Sequence, residues 1–194
     1  MAGEPIRQLN EGLIVFKDEL SADSLASKRV EAAIVTFGQE VTKVCDFTTA
    51  EGFHPPTLST SGMTPMGQAV NMALDMLDER KRTYKSNSVA YYRPWVFMIT
   101  DGGPNDEGWQ RAAQRAMDGD KSKHFAFFAV GVEGAQFDTL KLFSPREPLR
   151  LKELRFRDLF LWLSSSLKSV SRSNPGEDIP LSNPVTPSGW AAVV

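Results

Sequence analysis

A chain of 194 residues with 41% hydrophobic content and a formal net charge of -2 suits one α/β domain with a tail rather than two domains. No apolar stretch approaches the ~18 residues that a membrane span needs, and interspersed acids and bases leave no basic field for nucleic acid. The single cysteine, Cys45, gives no internal disulfide framework, and Met1-Ala2-Gly3-Glu4-Pro5 lacks the basic and apolar regions of a signal peptide, so a cytoplasmic location is expected.

Pro5 to Leu20 reads as a helix, with proline in the first turn and Ile6, Leu9, Leu13, Phe16 and Leu20 at helical spacing. After a polar connection from Ser21 to Lys28, the β-branched apolar run Val30 to Phe37 predicts a strand. Gly38-Gln39 turns it into a second, edge-type strand over Glu40 to Phe47. Thr48 to Met63 is rich in Thr, Ser, Gly and Pro and predicts a long loop, a kind of segment that is often functional. Thr64 is then expected to cap a helix that begins at Pro65 and runs to about Arg82, with Met66, Ala69, Val70, Ala73, Leu74 and Leu77 on its inner face. The cluster Arg80-Lys81-Arg82 reads as a helix end that the backbone dipole favours, not as a ligand site.

Trp95 to Ile99 is an apolar run ended by Thr100-Asp101-Gly102-Gly103-Pro104, which predicts a strand buried on both faces. A short helix over Glu107 to Met117 follows, then a strand of the same kind over Phe125 to Val130. A short helix from Phe137 to Phe143, a brief strand from Pro148 to Leu151 and an amphipathic helix from Phe156 to Val170 complete the pattern. Strands alternating with helices predict an α/β fold, a doubly wound and mostly parallel sheet flanked by helices. Residues 171–194 are rich in Ser, Asn and Pro and are expected to form a largely disordered tail, its terminal Gly189-Trp190-Ala191-Ala192-Val193-Val194 patch only weakly and transiently held.

Open α/β sheets bind ligands at the carboxyl ends of their strands. Two segments here carry oxygen-bearing residues to that edge, the loop into Thr64 and Thr100-Asp101. Alone, the first is an ordinary helix start and the second an ordinary turn. Together they suggest a site for a hard cation built from oxygens.

Ser61-Gly62-Met63-Thr64-Pro65-Met66-Gly67, followed by Phe97-Met98-Ile99-Thr100-Asp101-Gly102-Gly103-Pro104, resembles the von Willebrand factor A (VWA) family, with the order of elements matching over roughly residues 1 to 168. Gly3-Glu4-Pro5-Ile6, Phe53-His54-Pro55-Pro56-Thr57-Leu58 and the Pro-rich tail are similar to the bacterial tellurium-resistance-associated, TerY-type members. The resemblance implies a VWA/Rossmann-like domain over residues 1–170 that binds proteins and catalyses nothing. It implies a metal-ion-dependent adhesion site in which Thr64 and Asp101 are ligands of Mg²⁺ or Mn²⁺, with Ser61, Gly62, Gly102 and Gly103 beside the bound partner. That partner would offer a carboxylate; kinase-like or phosphatase-like proteins of the same operon are the implied candidates, with neither nucleic acid nor membrane involved.

One departure from the family is expected to be decisive. In relatives a DxSxS loop supplying an Asp and two Ser ends just before a segment like Met1 to Ile6, and here nothing precedes Met1. The first strand, normally central in the sheet between Val30–Phe37 and Trp95–Ile99, is therefore expected to be missing together with those ligands, through a start codon assigned too late or else a truncated chain. The chain as given is then expected to bind Mg²⁺ or Mn²⁺ weakly or not at all.

The alternative reading is a hydrolase-type enzyme on a doubly wound sheet. No G-x-S-x-G elbow is present and neither His54 nor His124 stands in a triad context. A nucleic-acid binder has only Arg80 to Arg82, Tyr84 and Tyr91-Tyr92 in its favour.

Overall fold

Apolar residues at helical spacing produce α1 (Glu4–Ser21), whose Leu9, Leu13, Phe16 and Leu20 are buried. The computed structural model describes residues 1–193; Val194, the last residue of the terminal patch read from the sequence, lies outside the described residues. The elements that follow are α2 (Ala26–Arg29), β1 (Glu31–Phe37), β2 (Val41–Thr49), α3 (Met66–Ser86), β3 (Trp95–Thr100), α4 (Trp109–Lys121), β4 (Ala126–Gly131), α5 (Phe137–Leu140), β5 (Leu149–Leu151), α6 (Phe156–Ser171) and β6 (Ala191–Val193). The fold is mixed α/β, with a mostly parallel sheet flanked by helices. β1 and β2 pair with each other, and the second sheet has the order β3-β4-β5-β6. β3 runs parallel to β4, with Trp95 opposite Ala126 and Thr100 opposite Gly131, and β4 runs parallel to β5.

The chain groups into two compact units. In the first (residues 1–34, 43–60 and 151–192), α1 packs against α6. The ring of Phe16 lies between Phe53 (6.2 Å, edge-on) and Phe160 (5.8 Å). The helices approach closely at Gly12, where a Cβ would stand 2.4 Å from the Phe160 ring. Ion pairs at the ends of these helices, Lys168 to Glu19 at 2.6 Å and Arg172 to Asp23, each keep one side chain open to water and add little beyond the packing.

In the second unit (residues 35–42, 61–150 and 193), α4 and α5 cover β4 while α3 packs on α4. Phe127 stacks on Phe143 at 6.1 Å, and Phe143 in turn on Trp109 at 6.1 Å. Below them Asp120, with a side chain 1% exposed, accepts hydrogen bonds from Arg93 Nη2 (2.8 Å), the Phe127 amide (3.0 Å) and Ser144 Oγ (3.0 Å), and pairs with Arg146. Burial alone would push this carboxyl up. The hydrogen bonds from Arg146, Phe127 and Ser144, with the charge of Arg146, outweigh that and hold it below the ordinary carboxylate value.

Three expectations need correction. β3 is not buried on both faces: only Met98 and Thr100 are, and Trp95, Val96, Phe97 and Ile99 are half-buried. The reason is position, since β3 ends its sheet and has β4 as its one neighbour there. Phe97 compensates by stacking on Phe128 at 4.6 Å. Thr64 is not the cap of α3; Pro65 holds that position, no side chain of its own caps the helix, and the helix continues to Ser86. Finally, where residues 171–194 were expected as a tail with a weakly held end, Trp190 and Ala191 are buried and Ala191–Val193 forms β6 beside β5.

Candidate functional site

The carboxyl end of β3 and the start of α3 both lie in the second unit. Thr100, 3% exposed, ends β3; its hydroxyl accepts the amide of Gly102 at 3.2 Å, and its carbonyl accepts the amide of Val132 at 2.8 Å. The turn after β3 is thereby fixed to the segment that leaves β4. One glycine is needed for that closeness: a Cβ on Gly134, whose φ is +95°, would stand 2.9 Å from the Asp101 carbonyl oxygen, whereas a Cβ on Gly103 would meet only the movable end of the Gln136 side chain.

Thr64 is tied to the same turn. Its amide donates to Asn105 Oδ1 (3.1 Å) and its carbonyl accepts the Asn105 amide (3.1 Å), a reciprocal pair that closes the two loops on each other. The Thr64 hydroxyl lies against Gly102, 3.5 Å from where a Cβ on that glycine would be. Asp106, the next residue, accepts the amides of Gly67 (3.2 Å) and Gln68 (2.9 Å) and so caps α3 from outside the helix. Its negative charge also suits the positive end of the α3 dipole.

Of the residues read from the sequence, Thr64, Asp101, Gly102 and Gly103 therefore belong to one pair of cross-linked loops. Ser61 is engaged elsewhere, its hydroxyl accepting the amide of Gln39 at 2.9 Å and filling the space beside Gly38. Gly62 faces open space. Beside it Met63 is 55% exposed, with the Asn105 side-chain Nδ2 3.5 Å from its sulfur. Asn105 and Asp106 were not singled out in the sequence. Their signal was present in the Pro104-Asn105-Asp106 run, since Asn and Asp side chains habitually bond to nearby amides, but nothing local says that the amides are those of Thr64 and of the start of α3.

Among the described residues, no group of three or more His, Cys, Asp or Glu side chains could hold a metal ion. Thr64 and Asp101 offer one hydroxyl and one carboxylate, whereas Mg²⁺ takes about six oxygens, several of them water. That donor set does not fit a tightly held cation unless further oxygen ligands join it. No helix among the described residues is long and apolar enough to cross a membrane.

The family model for the von Willebrand factor type A domain matches residues 16–152, more than half of the chain. No curated protein matches the chain.

Proposed function

Because the chain belongs to the von Willebrand factor type A family, generally protein-interaction modules, we propose that it binds a protein partner at the loops after β3 and before α3, and performs no catalysis. The observation that supports this reading is the Thr64–Asn105 clamp, which fixes the Thr64 hydroxyl against the Asp101-Gly102 turn with amides on both sides satisfied. A surface built this way is rigid before it meets a partner, which lowers the ordering cost of binding. Exposed Met63 beside it supplies adaptable apolar contact.

Thr64 and Asp101 act as metal ligands in a form of the protein that also carries a DxSxS loop. There Mg²⁺ or Mn²⁺ would take the remaining oxygens from its Asp and two Ser, and a carboxylate of the partner would be the last ligand. The setting proposed is the cytoplasm of a bacterium, in a tellurite- or stress-resistance system with kinase-like or phosphatase-like partners. It rests on the likeness of Gly3-Glu4-Pro5-Ile6 and Phe53 to Leu58 to the TerY-type proteins.

The test compares the chain with a version extended by about 15 residues, a strand of ~5–6 residues plus a DxSxS loop. The extended protein should melt higher, rise further with Mg²⁺, and lose that rise on Thr64→Ala or Asp101→Ala. An extended protein that melts no higher and ignores metal would remove the metal-dependent reading.

A further inference from the structure

Residues 182–190 are held by a set of donors that no part of the proposed interaction uses. In the first unit, Lys152 donates its amide to the Trp190 carbonyl (3.0 Å) and its ammonium to the Thr186 carbonyl (3.1 Å). Arg155 reaches the carbonyls of Ser188 (3.1 Å) and Gly189 (2.9 Å), and the Trp162 indole donates to the Ser182 carbonyl (2.8 Å). Every one of these bonds ends on a backbone oxygen, so they recognise a path of the main chain and not a particular side chain.

Specificity comes from two positions. Trp190 is 3% exposed and meets the ring of Trp162 at 5.6 Å. Gly189 admits no side chain, since a Cβ there would stand 2.0 Å from the Pro184 carbonyl oxygen. After them the backbone continues as β6 next to β5, which shields the β5 edge. The receiving side is shaped in advance: Glu153 and Leu154, between β5 and α6, hold φ of +46° and +56°, a left-handed pair of non-glycine residues that turns the chain between Lys152 and Arg155.

Two features favour release. The Trp190 indole nitrogen is buried with no hydrogen-bond acceptor in reach, which penalises the docked state. Residues 174–178, which connect the segment to α6, are exposed, and Asn174 and Glu177 bond to each other.

We propose that the β5 edge and the start of α6, with Lys152, Arg155 and Trp162, form a binding site for a Gly-Trp segment that ends in a short strand. The chain's own residues 182–193 occupy it in cis, and once they leave it takes the same segment of a second copy. Full-length Trp190→Ala protein and a fluorescein-labelled synthetic peptide of residues 180–194 test this. The variant should bind the peptide saturably, and the native protein at least tenfold more weakly, because its own tail competes. A peptide carrying Trp190→Ala should bind the variant at least tenfold more weakly than the native peptide does. No saturable binding to a folded variant, or equal binding of the two peptides, overturns the proposal. If the variant does not fold, excess native peptide added to native protein should speed cleavage after Glu177 by a glutamate-specific protease; an unchanged rate overturns it equally.

Discussion

The Asp106 carboxylate caps a helix 38 residues away in sequence, accepting the Gln68 amide at 2.9 Å. It satisfies donors at the start of α3 that no residue of the helix satisfies, because Pro65 stands where a capping side chain would. Asp106→Ala should therefore lower stability by about 1 kcal/mol, the usual worth of a cap. Asp106→Asn, which keeps an acceptor but loses the charge, should cost less. Thermal melts of the two variants measure this; an Asp106→Ala protein that melts like the native one would show that water replaces the cap at no cost.

Gly67 sits where α3 meets the start of α4, and a Cβ there would lie 2.6 Å from the Cα of Trp109. A backbone atom cannot swing aside as a side chain can, so Gly67→Ala must move one helix against the other. Despite the better helix propensity of alanine, the substitution should destabilise by about 1–3 kcal/mol. Denaturant unfolding gives the value, and a neutral or stabilised Gly67→Ala protein would mean that the two helices separate freely.

Asp120 makes stability depend on pH with a defined sign. Its folded-state value lies below its unfolded one, so the stabilisation is complete above the ordinary carboxylate range and is lost as pH falls through that range. Urea unfolding at a series of pH values should show native stability falling more steeply than that of Asp120→Asn below about pH 4. At neutral pH Asp120→Ala should cost about 3 kcal/mol, since Arg93 and Arg146 lose their shared partner. Parallel pH curves for the native and Asp120→Asn proteins would remove this role.

Metal titration addresses the loops of Thr64 and Asp101 directly. With one hydroxyl and one carboxylate as donors, the chain should show no saturable uptake of Mg²⁺ or Mn²⁺ below roughly millimolar concentration in calorimetry. Tight uptake that disappears in Asp101→Ala would mean that other oxygens of this chain complete the site.

Local pattern is enough to make the main helices and strands. The spacing of Leu9, Leu13, Phe16 and Leu20 makes a helix with one apolar face wherever it packs, and the β-branched and aromatic runs at 31–37 and 126–131 make strands in the same way. The motif order also names Thr64 and Asp101 together, while the Asn105 bonds that cross-link their loops span 41 residues and belong to the tertiary structure. Tertiary structure decided what depends on neighbours distant in sequence. The composition of Trp95–Thr100 promised burial, but burial of a strand depends on how many strands lie beside it, and β3 has β4 alone in its sheet. Thr64 looked like a cap because a cap is normally local; the acceptor came from Asp106 instead, across a separation that no periodicity records. Ser61 offers a hydroxyl by its sequence alone; that its oxygen accepts the Gln39 amide depends on the fold. The tail read as too polar to order itself, which holds for its own composition. Its anchorage comes from Lys152, Arg155 and Trp162, donors of other elements whose bonds end on its backbone and so leave no trace in its side chains.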